Sequence, residues 1–258
     1  MSDTLITVVL MPAFFLALLL LIEIGRRLGL KQSVEDAERT HAGLGTIEAA
    51  IYGLLGLMIG FTFSSAASRL DVRRALVVQE ANAIGTAYLR VDLLPAAAQP
   101  PLREQFRLYT ETRLAVYRAL SDIETSNDLA AKAAALQKEI WAGAVTATRD
   151  APPPAPLLLL PALNEMIDIT TTRAVALRTH TPWVIMSTLI FLALFCALLA
   201  GYGLASRRPF DTYLHRIGFA FILTLTLYVI VDLDHPRFGL IRVDFADQAL
   251  VDVRSSMK

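Results

Sequence analysis

Histidine is the residue most able to do acid–base or metal chemistry near neutral pH, and the four in this sequence are dispersed. His41, His180, His215 and His235 each lie near the edge of an apolar run. There is no HExxH pair, no pair of cysteines and no glycine-rich phosphate loop. The single cysteine, Cys196, sits inside an apolar run, which excludes an intrachain disulfide framework and reads as a small buried or lipid-facing side chain. Ser64 and Ser65 adjoin one another without a histidine base nearby in sequence. Gly201-Tyr202-Gly203 lies in an apolar span and lacks the strand-turn-helix setting of a dinucleotide site. The expectation is a protein that is not an enzyme and has no cofactor and no metal.

Two other groups of residues carry physical chemistry. Gly53, Gly56 and Gly60 recur at i, i+3 and i+7, and Ser64, Ala67 and Asp71 continue the same helical face. Such a stripe lets another backbone approach closely, so Gly56 and Gly60 are expected to face a helix and not lipid. With Phe61, Thr62, Phe63, Ser64 and Ser65 the same stretch also reads as the lining of a narrow passage. A second face carries Met58, Thr62, Ser65 and Arg69. Only one of the two faces can meet a symmetry axis while the other packs. If the Thr62–Ser65–Arg69 face does so, a ring of hydroxyls leads to a ring of arginines that favours anions. The second group is a charged collar at the ends of apolar runs: Arg69, Asp71, Arg73 and Arg74, then Asp232, Asp234, His235 and Arg237. An unpaired charge near lipid is costly, so at least one of Arg69, Arg73 and Arg74 is expected within ion-pair reach of Asp232 or Asp234. The collar reads as a structural joint or as fixed charge at the mouth of a conduction path.

The elements that must position these residues follow from composition and periodicity. With 55% hydrophobic residues and a mean hydropathy of +0.50 the chain of 258 residues is too apolar for an ordinary soluble domain, and with 19% charged residues it is too polar to be wholly embedded. A net charge of zero gives no basic field for nucleic acid. Apolar runs place a first membrane helix at Leu5–Ile22, where Pro12 can introduce a kink, and a second beginning at Ala49–Phe63. The second continues without a breaker towards Asp92, as one helix or two collinear ones. A polar link, 25–46, separates them and is broken at Gly43 and Gly45. A third span covers Trp183–Ala205 and a fourth runs from about Ile217 to Val231 or Leu233, short enough to recruit Leu214.

The intervening segment shows helical stripes: Leu70, Val77, Ile84 and Val91; then Leu102, Phe106, Tyr109, Val116, Tyr117 and Leu120; then Leu129, Ala133, Leu136, Ile140 and Ala144. Thr125–Asp128 reads as a turn and N-cap cluster, and Pro161 interrupts the last helical stretch before the third span. The architecture is all-α: a first transmembrane hairpin in 1–67, an extramembrane helical region in 68–181, a second hairpin in 182–233 and a tail in 234–258. Arginine and lysine near the membrane ends are almost balanced between the two sides, leaning towards cytoplasmic short links.

One stretch ties these features to a known family. Phe61-Thr62-Phe63-Ser64-Ser65-Ala66-Ala67-Ser68-Arg69-Leu70-Asp71-Val72-Arg73-Arg74 resembles the bestrophin pattern in which helix two ends in phenylalanine and small polar residues before a charged stretch. Glu80–Arg90 and Val231–Arg242 are similar to a bacterial membrane family described as bestrophin-like. The resemblance implies a homo-oligomer, a pentamer as in bestrophins, that conducts small anions. Its lining would be helix two around Gly56–Ser65, with Phe61 or Phe63 as the constriction. It also implies a multi-pass protein of the bacterial inner membrane, with the lipid bilayer and further copies of the chain as partners. The resemblance would place the central segment in the cytoplasm. The acidic run of the animal calcium clasp is absent, so calcium gating is not implied. The alternative is a non-conducting scaffold or sensor whose helical domain binds a partner protein.

Overall fold

The computed structural model describes residues 3–31, 34–119, 122–205, 213–235 and 244–257, and every regular element among them is helical. In chain order these are α1 (Asp3–Leu30), α2 (Val34–Arg90), α3 (Gln99–Arg118), α4 (Ile123–Thr148), α5 (Pro154–Arg178), α6 (Trp183–Gly203), α7 (Tyr213–Asp234) and α8 (Asp244–Ser256), with a short 3-10 turn at Val91–Leu93. Four stretches are long and apolar enough to cross a membrane: Val9–Leu30, Gly45–Leu93, Pro154–Gly203 and Tyr213–Asp234. The chain divides into two compact units, one of Met1–Ser68 with His180–Leu240 and one of Arg69–Thr179 with Ile241–Lys258.

Helix α2 accounts for 57 residues and is uninterrupted. No proline occurs within it. Its glycines each cost about 1 kcal/mol relative to alanine, which long alanine- and leucine-rich flanks can carry. The division between the two units falls within this helix, between Ser68 and Arg69. The break expected at Gly43 and Gly45 does not form: α1 runs to Leu30 and α2 begins at Val34. A glycine stops a helix when it turns left-handed beyond the last residue, and no glycine among the described residues has a positive φ.

In the membrane unit, α1 packs chiefly against α6 and also touches α7. This pair joins the two hairpins expected from sequence order and lies within neither. Glycine explains it. A Cβ added at Gly201 would stand 2.0 Å from the carbonyl oxygen of Ile22, and one added at Gly25 would stand 2.0 Å from that of Leu198. The two backbones are in contact, and Leu18, Ile22, Leu189, Cys196 and Ala197 are fully buried around them. Glu23 then ties α1 to α7, accepting from the Nη2 of Arg216 at 2.7 Å while also holding Arg26 of its own helix. Helix α7 begins at Tyr213, so the short fourth span does recruit Leu214.

The helical unit is built on the stripes read from the sequence. Leu70, Val77, Ile84 and Val91 are all buried, as are Leu102, Phe106, Tyr109, Val116, Tyr117, Ala133, Leu136, Ile140 and Ala144; Leu120 lies outside the described residues. Burial of side chains of this size contributes roughly 1.5–3 kcal/mol each. Pro100 and Pro101 open α3, where their missing N–H groups cost nothing. The N-cap of α4 is Asp122, whose carboxylate accepts from the backbone N–H of Thr125 at 3.3 Å and from its hydroxyl at 2.6 Å. Thr125–Asp128 therefore form the first turns of α4 and not the turn before it, because the carboxylate is the stronger acceptor for the free N–H groups. Pro161 lies inside α5 without ending it. Helix α8 packs against α3, burying Leu250 and Met257, and its Arg254 pairs with Glu111 at 2.6 Å.

Candidate functional site

The membrane part of α2 has one face turned into its own unit and one turned outward. Leu55, Thr62 and Ala66 are buried, spaced i, i+7 and i+11 on one side of the helix. The Thr62 hydroxyl donates to the Met58 carbonyl at 2.7 Å. On the opposite side lie Gly53, Gly56, Gly60 and Ser64, all exposed, and a Cβ added at any of the three glycines would meet nothing within 4 Å. Phe61 and Phe63 flank this open face, 68% and 44% exposed. Among the described residues, then, no helix lies against the small stripe. The face carrying Thr62 is the one that packs, which removes Thr62 from the ring of hydroxyls and arginines drawn for that side. Ser65 is exposed and Arg69 half-buried.

Several collar residues make contacts within their own unit. Arg74 pairs with Asp71 at 3.8 Å, an exposed i, i+3 contact. Arg73 is 4% exposed and donates to the carbonyls of Ala176 at 3.1 Å and Thr179 at 2.8 Å. It thereby caps the end of α5, where the helix leaves carbonyl groups without N–H partners and its dipole favours a cation. In the membrane unit Asp232 and Asp234 are both buried. Asp234 accepts from the backbone N–H of Thr181 at 2.8 Å. Arg237 lies outside the described residues.

Two of the histidines that are far apart in the sequence come together here. The rings of His180 and His235 stack, with centroids 4.6 Å apart and planes 9° from parallel. Nδ1 of His180 faces the backbone carbonyl of Asp234 at 3.2 Å, and Nδ1 of His235 faces that of Val231 at 3.1 Å. One ligand atom from each of His180, Asp234 and His235 lies within 4.8 Å of the others. Nitrogen and carboxylate donors of this kind suit zinc or a similar divalent ion once drawn slightly closer. The sequence could not pair these histidines, since 54 positions separate His180 from its Asp234 contact.

A buried electrostatic cluster lies in the helical unit. Glu80, 0% exposed, accepts from Nε of Arg113 at 2.6 Å, from the hydroxyl of Tyr117 at 2.9 Å and from Arg173. Arg113 also donates to the Tyr117 oxygen, and the Arg173 guanidinium lies 3.8 Å from the centroid of the Tyr117 ring. Burial pushes the Glu80 carboxyl up, but the guanidiniums of Arg113 and Arg173 more than offset it and hold it below the ordinary carboxylate value. Burial and then the Glu80 charge push the Tyr117 phenol up, so it stays a hydrogen-bond donor. The signal for this cluster was present in the sequence: Glu80 falls between Val77 and Ile84 on a core stripe, and Arg113 between Tyr109 and Tyr117.

Comparison with known proteins adds the family. A model described as the bestrophin-like domain matches residues 13–246. No curated protein matches the chain. Among solved structures, the chain is similar to a single-substitution variant of a bacterial bestrophin homologue from Klebsiella pneumoniae, with a TM-score of 0.64 at 14% identity over 93% of this chain and 98% of that one. A second variant of that homologue matches with a TM-score of 0.64 at 15% identity, over 94% and 98%. A structure described as a membrane protein matches with a TM-score of 0.60 at 14% identity, over 94% and 99%.

Proposed function

The chain belongs to the bestrophin-like family, and on that basis we propose that it is a homo-oligomeric channel for small anions, lined by the membrane part of α2. The observation that carries this reading is the open face of that helix. Gly53, Gly56, Gly60 and Ser64 point away from the side where Leu55, Thr62 and Ala66 pack, and they are exposed among the described residues. A stripe without side chains gains little from lipid and much from a neighbouring copy or from water on a shared axis. Symmetry-related copies of α2 would surround a passage of backbone and serine hydroxyl, and Phe61 at its edge would supply the narrow apolar point. On this reading the lining is the small stripe instead of the Thr62–Ser65–Arg69 face.

The test is chloride flux into liposomes carrying the purified protein, with its mass measured in mild detergent. A mass of several chains and a chloride flux well above that into empty liposomes support the reading. A single-chain mass, or assembled protein that passes neither chloride nor potassium at any voltage or pH tried, would replace it with the scaffold reading.

A further inference from the structure

The helical unit contains a cleft of about 270 Å3 beside the Glu80 cluster. Its polar lining is Arg113, Arg173, Arg178, Tyr117, Ser126, Asn127 and Thr170, and no carboxylate stands among the described residues that line it. Arg113 and Arg173 are almost wholly buried, and the carboxylate they bind is a single one, Glu80, which is itself 0% exposed and does not line the cleft. Two buried cations on one anion leave one positive charge uncompensated where water is scarce, an arrangement that a bound anion relieves. The two guanidiniums together also carry more N–H donors than one carboxylate and one phenol oxygen can accept. Arg178, exposed in the last turn of α5, adds a further cation at the cleft.

We propose that this cleft is a binding site for a small soluble oxyanion, a phosphate or carboxylate compound of metabolite size. The planar fork of arginine matches two oxygens of such a group, whereas a chloride ion would use one contact and leave most of the space empty. The volume is several times the ~30 Å3 share of one water and approaches the lower end of small-molecule pockets. All the lining residues belong to the helical unit; the occupant proposed is a free solute, and a lipid headgroup is the outcome that would overturn it. The site is separate from the α2 passage, and its existence does not depend on conduction.

The experiment is calorimetric titration of the full-length protein in detergent with inorganic phosphate, and separately with succinate, at constant ionic strength set with choline chloride. Saturable binding of at least one probe, one per chain, together with a raised unfolding midpoint is expected. Arg178→Gln should weaken that binding about tenfold, the loss typical of one charge-assisted hydrogen bond, and leave the unfolding midpoint without ligand unchanged. Asn127→Trp, which fills the cleft from an exposed position, should weaken it as well and covers the case in which Arg178→Gln misfolds. Absence of binding by both probes up to about 10 mM overturns the proposal. So does equal binding by wild type and both variants, or displacement by chloride mole for mole. Capture of phosphatidic acid vesicles without binding of either soluble probe also overturns it, because the occupant would then be lipid.

Discussion

In the helical unit, helices from distant parts of the chain are joined through charge: one buried carboxylate, Glu80, gathers Arg113, Arg173 and Tyr117, and Arg73 closes the end of α5. In the membrane unit, α1 and α6 meet where side chains are missing, at Gly25 and Gly201. The difference follows the solvent. Beside water, apolar stripes already bring helices together, and a buried ionic cluster adds a specific arrangement to that attraction. In lipid the hydrophobic drive between helices is absent, so closeness itself, gained by deleting Cβ atoms, supplies the packing energy. The membrane unit also contains glycines that are not used this way inside one chain, and the contrast between Gly201 and Gly60 is where the functional reading rests.

The largest effect that could break this contrast is loss of the Glu80 charge. Glu80→Gln should destabilise the protein by about 3–5 kcal/mol, the usual result of leaving a buried ion without its partner, with a clear drop in the unfolding midpoint measured by circular dichroism. A variant as stable as wild type would mean the cluster is not holding the unit together. The same group sets a pH dependence. Because its folded pKa is depressed, its contribution is fully present above the ordinary glutamate value and is lost as pH falls through the lower folded value. Acid unfolding should therefore begin below the ordinary carboxylate range, and Glu80→Gln should flatten that part of the curve.

Next in size are the glycines. Gly201→Ala places a Cβ 2.0 Å from the Ile22 carbonyl oxygen, so α1 and α6 must separate, at about 1–3 kcal/mol or more. Gly60→Ala meets nothing within 4 Å in its own chain and should leave the single chain no less stable, alanine being the better helix former by about 1 kcal/mol. Any loss of oligomer mass in Gly60→Ala or Gly60→Leu would then report a contact between copies. Unchanged mass together with unchanged chloride flux in both would leave the stripe facing lipid and remove the basis for a shared axis. Phe61→Ala should raise chloride leak through liposomes without altering stability, since the ring is 68% exposed. The smallest effect belongs to Asp71→Asn, which breaks an exposed pair with Arg74 and should cost under ~1 kcal/mol.

Much of this molecule was legible in its sequence because periodicity survives without knowledge of neighbours. The stripe through Leu70, Val77, Ile84 and Val91 marked its buried face correctly, as did Phe106, Tyr109 and Ile140. The small face of α2 was legible for the same reason. What one helix does with its stripe depends on which helix arrives, and that is not a local property. Gly201 and Gly53 look alike in a row of letters, yet one touches a backbone and the other touches nothing within its chain. Arg73 was read among collar charges because of its place after an apolar run, and the sequence could not show that it also reaches the carbonyls of a helix end more than a hundred residues away. The stacking of His180 on His235 likewise needs the tertiary fold.

The approach of α1 to α6 has a further consequence, in bonding instead of space. An added Cβ would lie 2.0 Å from a carbonyl oxygen at both Gly25 and Gly201. The real glycine Cα then lies no more than about 3.5 Å from that oxygen, within reach of a Cα–H···O contact. Each helix donates to a carbonyl that is already engaged in its own ladder, Gly201 to Ile22 and Gly25 to Leu198, and the two contacts run in opposite directions. In hydrocarbon, where no water competes, such a reciprocal pair is worth roughly 0.5–1 kcal/mol per contact. It also leaves a spectroscopic trace: deuterated glycine at 25 or 201 should show a shifted Cα–D stretch, whereas at 53, 56 or 60 the stretch should shift only when chains associate.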